Sequence, residues 1–448
     1  MREESEMNVA IIGGTGYVGL TTAVCLASKG NLVYCVDRNV EKIERIRHGF
    51  STFYEDNMEK MLKDSLLNGK LKPTTNIEEA VLDSSISFIC VGTPSRANGS
   101  IDLSQVREAS EQIGLALKMK ENYHVVAVRS TVVPGTTEEL VLPTLEKLSK
   151  KKAETDFGLC MNPEFLREGQ AVKDFLFPKK VGIIVGELNE RSGDALFRLY
   201  ETFDARIMRT TLRTAEMIKY ARNSYLAKDI SFSNEIANIC EKCGIDFLEV
   251  KKGMEMDTRI GKGRFLEAGA GFGGSCFPKD VRAFIAKAEE VGVEPKLLKA
   301  TLEVNELQPN KLIVLTKQIM RELKGKKIAV LGLSFKPGTD DMREAPSIKV
   351  INALLDEGAE VSAYDPQALE NARKIFGDRI TYAKKAQDAM NNADVCLIVT
   401  EWAEFAESKL YNVMRQKVVI DGRRALNPHN LASGFVYHAI GFNGPVKT

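Results

Sequence analysis

Histidine is scarce in this chain, with four in 448 residues. That leaves little material for histidine-based metal sites or a Ser-His-Asp relay. Net charge is nearly absent too: 62 Lys and Arg against 61 Asp and Glu give +1. No global field draws in nucleic acid or an anionic membrane, and neither is expected as a partner. No apolar run reaches the roughly 18 residues that a bilayer crossing requires. The N-terminus "MREESEMNVAII" is charged, and its first apolar run is short and strand-like. A signal peptide is therefore not expected, and the cytoplasm is the default location. The eight cysteines are scattered. Cys35, Cys90, Cys160 and Cys396 sit in short apolar runs and Cys25 in a helical one, so reduced core packing is expected of them. Cys240 and Cys243 form a single C-x-x-C with neither the second pair nor the nearby histidines of a zinc site. No metal is expected.

What is present is alternation of strands and helices. The length implies two or three domains. "NVAIIGG" reads as a strand that runs into "GTGYVGL" and a small-residue helix; "NLVYCVD" is the next strand, ending at Asp37. Gly14, Gly16 and Gly19 thus stand in G-x-G-x-x-G spacing between strand and helix, with an acid about 20 residues on. This is the dinucleotide fingerprint: a tight turn, close backbone approach to a pyrophosphate, and a helix N-terminus aimed at it. Asp37 can accept from both ribose hydroxyls and would repel a 2′-phosphate, so NAD is favoured over NADP. Arg38 reads either as a solvated loop residue or as a stack for adenine. Further strands end in "CVGTPS", "RSTVVPGTT" and "MNPEFLREG". Ligands in open α/β sheets sit beyond the carboxyl ends of strands, so these loops should converge near the nicotinamide. "MNPEF" reads equally as a proline turn or as a carboxylate aimed at substrate.

From Thr214 a long helical pattern runs to Gly244, with Thr214 as the expected N-cap and Met217, Ala221, Leu226 and Ile230 as the expected buried stripe. Lys219 and Asn223, four apart, share a helix face. A lysine partly buried among apolar neighbours can act as a base. Then comes "GAGFGGSCFPKD", a loop too glycine-rich for core, with one thiol at its centre. "KKIAVLGL", "AEVSAYDP", "ADVCLIVT" and "KVVIDGRR" repeat the βα alternation, and strand–glycine loop–helix–strand–Asp365 echoes the N-terminal unit. The expected class is α/β, two Rossmann-like parallel-sheet domains joined by a long helix. Two nucleotide-type domains imply two nucleotide-bearing ligands.

Eight motifs in order ("GTGYVGL", "CVGTPS", "RSTVVPGTT", "NPEFLREG", "EMIKYARNSYLA", "GAGFGGSCFPKD", "LSFKPGTDDMREAPS" and "IDGRR") span nearly the whole chain. Together they resemble the UDP-glucose/GDP-mannose dehydrogenase family, and its UDP-glucose 6-dehydrogenase branch in particular. The resemblance implies an NAD-binding domain over 1–205, a central helical and dimerisation domain over 206–310, and a UDP-sugar-binding domain over 311–448. It implies oxidation of a primary alcohol to a carboxylate with two NAD and no metal. UDP-glucose is the expected substrate, with GDP-mannose or a UDP-N-acetylhexosamine as the alternative.

It makes Cys276 the nucleophile that captures the aldehyde and carries the acyl group. Lys219 would assist deprotonation and stabilise oxyanions; Asn223 would bond sugar or oxyanion; Asp280 would orient the lysine or a water. Glu164 and Thr131 would place the hydrolytic water. Tyr17, Val18, Thr93, Glu168, Lys279 and Arg343 join the glycines, Asp37 and Arg38 around the cofactor. Phe165 and Leu166, the loop Phe265, Leu266, Glu267, Ala268 and Gly269, then Gly273, Phe335, Lys336 and Arg423 would surround the sugar nucleotide. Arg259 resembles the arginine given to a neighbouring subunit, so at least a homodimer is implied. Two segments depart from the family pattern. "STFYEDNM", 51–58, lacks its usual prolines, and Pro178 is followed by Lys179 and Lys180 instead of an Asp-Arg pair. Both leave the hexose open, whereas the additional Gly13 touches a position where glycine is common.

Overall fold

A computed structural model describes residues 7–261, 265–442 and 444–447. The chain forms two compact units, one ending at Ala221 and one starting at Arg222.

The first unit is built on eight strands: β1 (Asn8–Ile12), β2 (Leu32–Val36), β3 (Leu71–Thr74), β4 (Ile86–Ile89), β5 (His124–Val128), β6 (Phe157–Met161), β7 (Ile183–Glu187) and β8 (Ile207–Thr211). Their order is β3-β2-β1-β4-β5-β6-β7-β8. Every pair is parallel except β6–β7, which is antiparallel. β1, β4, β5 and β6 are almost wholly buried, because helices cover both faces; this is why they read as unbroken apolar runs. β8 still belongs to this sheet, so the sheet extends past the boundary at 205 that the sequence suggested.

The central helix, Leu212–Cys243, continues from the first unit into the second. It starts earlier than the sequence suggested. Thr211, not Thr214, is the cap: its Oγ1 accepts from the Thr214 N–H at 3.3 Å, and the two hydroxyls lie 2.8 Å apart. The buried stripe also differs. Met217 is 42% exposed, Ala221 is exposed, and Leu226 and Ile230 are half-buried. The face turned inward is instead rich in polar groups, with Glu216, Lys219, Asn223, Ser224, Ser231 and Asn234 all buried. A face that carries a site cannot also be the apolar face.

Among its described residues the second unit holds seven strands: β9 (Lys327–Leu331), β10 (Glu360–Tyr364), β11 (Thr381–Tyr382), β12 (Val395–Ile398), β13 (Val418–Asp421), β14 (Val436–Ala439) and β15 (Val446–Lys447). Their order is β11-β10-β9-β12-β13-β14-β15, parallel except for β14–β15. All seven positions reproduce the order of the first seven of the N-terminal sheet, as the repeated strand–Gly–strand–Asp pattern implied. Both sheets are α/β in class. Among the described residues, no helix is long and apolar enough to cross a membrane.

Candidate active site

The chemistry-bearing residues fall into two groups, one on each unit. In the first unit, the β1–helix turn is closed by Gly13 and Gly14 N–H groups donating to the Val36 carbonyl at 2.9 and 2.8 Å. The helix Tyr17–Ser28 begins at Gly16 with no side-chain cap, which leaves its first N–H groups for a ligand. A Cβ on Gly19 would come within 2.1 Å of the Gly13 carbonyl oxygen, so only glycine allows this helix–turn approach. A Cβ on Gly16 would meet no protein atom nearer than 3.5 Å; that space is a cradle for a ligand.

Beside it lies a cleft of about 380 Å³ lined by Gly13, Thr15, Gly16, Asp37, Lys42 and Gln105, among others. Asp37 Oδ2 accepts from the Thr15 hydroxyl at 2.5 Å and its N–H at 3.3 Å, and Oδ1 from the Asn39 N–H at 3.0 Å. Oδ1, with one donor, keeps capacity for a ribose hydroxyl. Arg38 ion-pairs with Glu108 at 2.9 Å and both residues line the cleft, so its charge is already partnered. The cradle, the acid and the open helix end fit a dinucleotide without a 2′-phosphate. Thr93 donates to the Thr131 carbonyl at 3.0 Å and joins the ends of two strands.

Val128 and Met161 are register partners on β5 and β6. Thr131 and Glu164, each three residues further on, therefore leave adjacent strand ends. The Lys219 ammonium, 3% exposed as a residue, bonds the Glu164 carbonyl and Oε1, both at 2.8 Å, and lies 5.4 Å from the Phe165 ring centre. Glu164 Oε2 accepts from the Leu166 N–H at 2.6 Å. Burial works to raise the Glu164 carboxyl, but the Lys219 charge and these hydrogen bonds outweigh it and hold it below its ordinary value. Glu164 is thus a carboxylate that can place a water, and a weak proton acceptor.

Two acids that sequence reading passed over are built into this unit. Glu55, within the segment that departs from the family pattern, accepts from the Tyr17 hydroxyl and from the Gly169 and Ala171 N–H groups, both at 2.7 Å. It ties the cofactor helix to the loop that follows Glu164 and holds the buried Glu168. Glu216, near the start of the central helix, is wholly buried.

In the second unit, Cys276 occupies the position just before the helix Phe277–Glu290, with Pro278 in that helix's first turn. It is half-buried. A helix N-terminus favours thiolate. Ser275 Oγ lies 3.6 Å from Sγ. One turn on, Asp280 is 1% exposed. Its carboxylate accepts from Asn223 Nδ2 at 2.6 Å and Lys279 Nζ at 2.5 Å.

The glycine loop before the thiol is gripped from three sides. Asn234 Oδ1 accepts from the Gly269 N–H at 2.7 Å. Asn305 bonds both the Phe272 N–H, at 2.7 Å, and its carbonyl, at 3.0 Å. Arg423 donates to the Gly271 carbonyl at 3.0 Å and the Val399 carbonyl at 2.9 Å. A Cβ on Gly273 would come within 2.3 Å of the Glu344 carbonyl oxygen, and the Gly274 N–H donates to the Arg343 carbonyl at 2.8 Å. The "DDMRE" loop therefore packs on the cysteine loop. Gly274 lies against the Phe335 ring, and Lys336 Nζ is 5.5 Å from that ring's centre. The Arg343 side chain is turned to Asp341. Leu266 and Ala268 are buried and Glu267 is exposed. Phe265 meets the Phe277 ring edge-on at 6.2 Å. Arg259 is exposed and pairs with Asp257 at 2.6 Å.

Three consecutive models of the UDP-glucose/GDP-mannose dehydrogenase family match the chain: its NAD binding domain over residues 7–204, its central domain over 213–307 and its UDP binding domain over 329–428. A UDP-glucose 6-dehydrogenase of Haloferax volcanii is 43% identical over 93% of this chain and 97% of its own length. The structure of a UDP-glucose dehydrogenase from Pyrobaculum islandicum superposes with a TM-score of 0.92 at 37% identity, covering 99% of each chain. That of a UDP-D-ManNAc dehydrogenase from Pyrococcus horikoshii gives 0.84 at 28%, covering 97% and 99%.

Proposed function

Because the chain belongs to the UDP-glucose/GDP-mannose dehydrogenase family and is an NAD-dependent oxidoreductase, we propose that it oxidises C6 of UDP-glucose to the carboxylate of UDP-glucuronate. The balance is one primary alcohol, two NAD and one water giving one carboxylate, two NADH and three protons. The observation that carries the reading is Cys276: a half-buried thiol at a helix start, in a chain where six of the other seven cysteines are buried. The relatives named above favour UDP-glucose, since the UDP-glucose dehydrogenase structure is more similar than the UDP-D-ManNAc one.

Residues 1–205, together with β8, take the cofactor; residues 311–448 take the sugar nucleotide; the remainder of 206–310 supplies the central helix and the thiol. Bound NAD supplies the hydride acceptor at each two-electron stage. Lys219 stabilises negative charge on the C6 oxygen as its proton leaves. The Cys276 thiolate adds to the aldehyde carbon and forms a C–S bond, so the aldehyde cannot escape. Oxidation of that thiohemiacetal gives a thioester. Water, placed by Glu164 and Thr131, adds to the acyl carbon; the C–S bond breaks, the thiol regains its proton and the acid leaves. Asn223 and Asp280, bonded to each other, hold the polar side of the thiol's helix.

Assembly into at least a dimer belongs to the same reading. Tyr225, Phe232 and Ile239, seven residues apart on the central helix, are 54%, 44% and 53% exposed, which is a stripe of apolar surface on one helix face. The test is an NADH assay over a panel of nucleotide sugars with product stoichiometry. The expected result is fastest turnover of UDP-glucose with two NADH per sugar. Faster turnover of GDP-mannose or UDP-N-acetylmannosamine would overturn the substrate, and one NADH per sugar would overturn the four-electron course.

A further inference from the structure

We propose that Glu216 is a positioning residue for this reaction: it pins the loop that carries Thr131 to the helical turn just before Lys219. The inference rests on the dehydrogenase reading above. Glu216 Oε2 accepts from the Gly135 N–H at 2.6 Å; Oε1 accepts from the Thr137 N–H at 2.8 Å and the Thr137 hydroxyl at 2.6 Å. Three donors from one loop thus converge on one buried carboxylate. That loop follows β5, which ends at Val128, and carries Thr131. Three residues on from Glu216, Lys219 grips Glu164 at the end of β6. The ends of two neighbouring strands are therefore tied to consecutive turns of one helix, β5 through Glu216 and β6 through Lys219. Thr131 and Glu164, the two residues assigned to the water, are held to a common frame.

Capping does not explain this acid, because Thr211 already caps the helix. Surface charge does not explain it either. Of the acids in the helical turn that follows the loop, Glu138 is half-buried and Glu139 exposed, and both are engaged by Arg213. Two backbone N–H groups face Glu216, so an acceptor-only group fits. An amide would turn its own NH₂ on one of them.

The experiment compares wild type, Glu216→Gln, Glu216→Asp and the surface control Glu139→Gln, whose side chain is 62% exposed. It reads steady-state kinetics with UDP-glucose, NAD affinity by fluorescence titration, and amide hydrogen exchange over 131–141. For Glu216→Gln we expect kcat to fall about 10- to 100-fold, as a misplacement of about 1 Å does. NAD affinity should stay within about threefold, and exchange at Gly135 and Thr137 should quicken. Glu216→Asp, which keeps the charge, should recover part of kcat, and Glu139→Gln should resemble wild type. Should Glu216→Gln fail to fold, Glu216→Asp carries the same comparison at smaller amplitude. Quickened exchange with unchanged kcat overturns the positioning role; unchanged exchange overturns the pin itself. A wild type inactive on every nucleotide sugar refutes the dehydrogenase reading instead, and the exchange measurement still decides the pin.

Discussion

A thiol that attacks a carbonyl cannot be sealed in a core. Burial pushes Cys90 and Cys160 up to about 12, and raises Cys25, Cys35 and Cys396 as well. Only Cys243 and Cys276 of the eight are not buried. Iodoacetamide at neutral pH should therefore label those two, and UDP-glucose should protect Cys276 alone. Cys276→Ser should accumulate an acyl ester visible by intact mass with NAD and substrate, because an ester hydrolyses more slowly than a thioester. Near-normal turnover of Cys276→Ala would end the covalent role. At Asp37, the exchange for Ala should cost NAD about one to two orders of magnitude in kcat/KM, since a hydrogen bond to a charged acceptor contributes about 1.5–3 kcal/mol. Equal use of NADP by the wild type would refute the cofactor preference. These residues were legible because they act through local backbone: Gly14, Gly16 and Gly19 shape one turn, and Cys276 starts one helix. Glu55 and Glu216 were not. Their partners lie as far as 116 and 81 residues away, and a lone glutamate in sequence looks like solvated surface.

At the scale of the element, the central helix shows where periodicity misleads. Its length and its end at Gly244, whose φ is +70°, were readable. Its inward face was not, because hydrophobic patterning assumes that the inside is apolar, and here the inside carries Glu216, Lys219 and Asn223. Small apolar residues such as Ala215, Ala227 and Ala237 are buried beside them, while the larger Met217, Tyr225, Phe232 and Ile239 point outward. Phe232→Glu should lower the assembly mass seen by light scattering, and an unchanged mass would place the interface elsewhere. The inward face has a pH signature. Burial, opposed by the Thr137 and Gly135 hydrogen bonds and aided by the Glu138 charge, pushes Glu216 up to about 7 from an ordinary 4.5. A carboxyl raised on folding contributes stability that is full below about pH 4.5 and lost as pH rises through about 7. The stability of wild type relative to Glu216→Gln should therefore decline from pH 5 to pH 8, by about 3 kcal/mol at full extent. A difference that is flat with pH would show that Glu216 stays ionised throughout.

Across the whole molecule, the two sheets pose one question twice and answer it differently. Both put a glycine with φ near +85° after their first-ordered strand, Gly13 at +83° and Gly332 at +89°, and in both that glycine's N–H donates to the end of the next strand. Both end that next strand at an aspartate: Asp37 and Asp365. The repeat was visible in sequence, but the environment of its second acid was not. Asp37 lines a cleft and keeps capacity for a ligand. Asp365 is wholly buried and saturated. Oδ2 accepts from the Leu333 and Ser334 N–H groups, the Ser334 hydroxyl and Trp402 Nε1 at 2.7–3.1 Å, and Oδ1 from the Gln367 and Ala368 N–H groups at 2.8 and 2.9 Å. The Trp402 indole N–H takes up acceptor capacity that a ribose hydroxyl would need. The second sheet therefore keeps the frame of a dinucleotide domain with its ribose acid withdrawn into structure, in keeping with its match to a UDP-binding model. Calorimetry should find one NAD per chain. Asp37→Asn should weaken that binding with little change in Tm. Asp365→Asn should leave NAD affinity intact and lower Tm, because it turns an NH₂ on buried donors at about 1–3 kcal/mol for each group left unpaired. Two NAD per chain, or loss of NAD binding in Asp365→Asn, would refute this division of labour between the sheets.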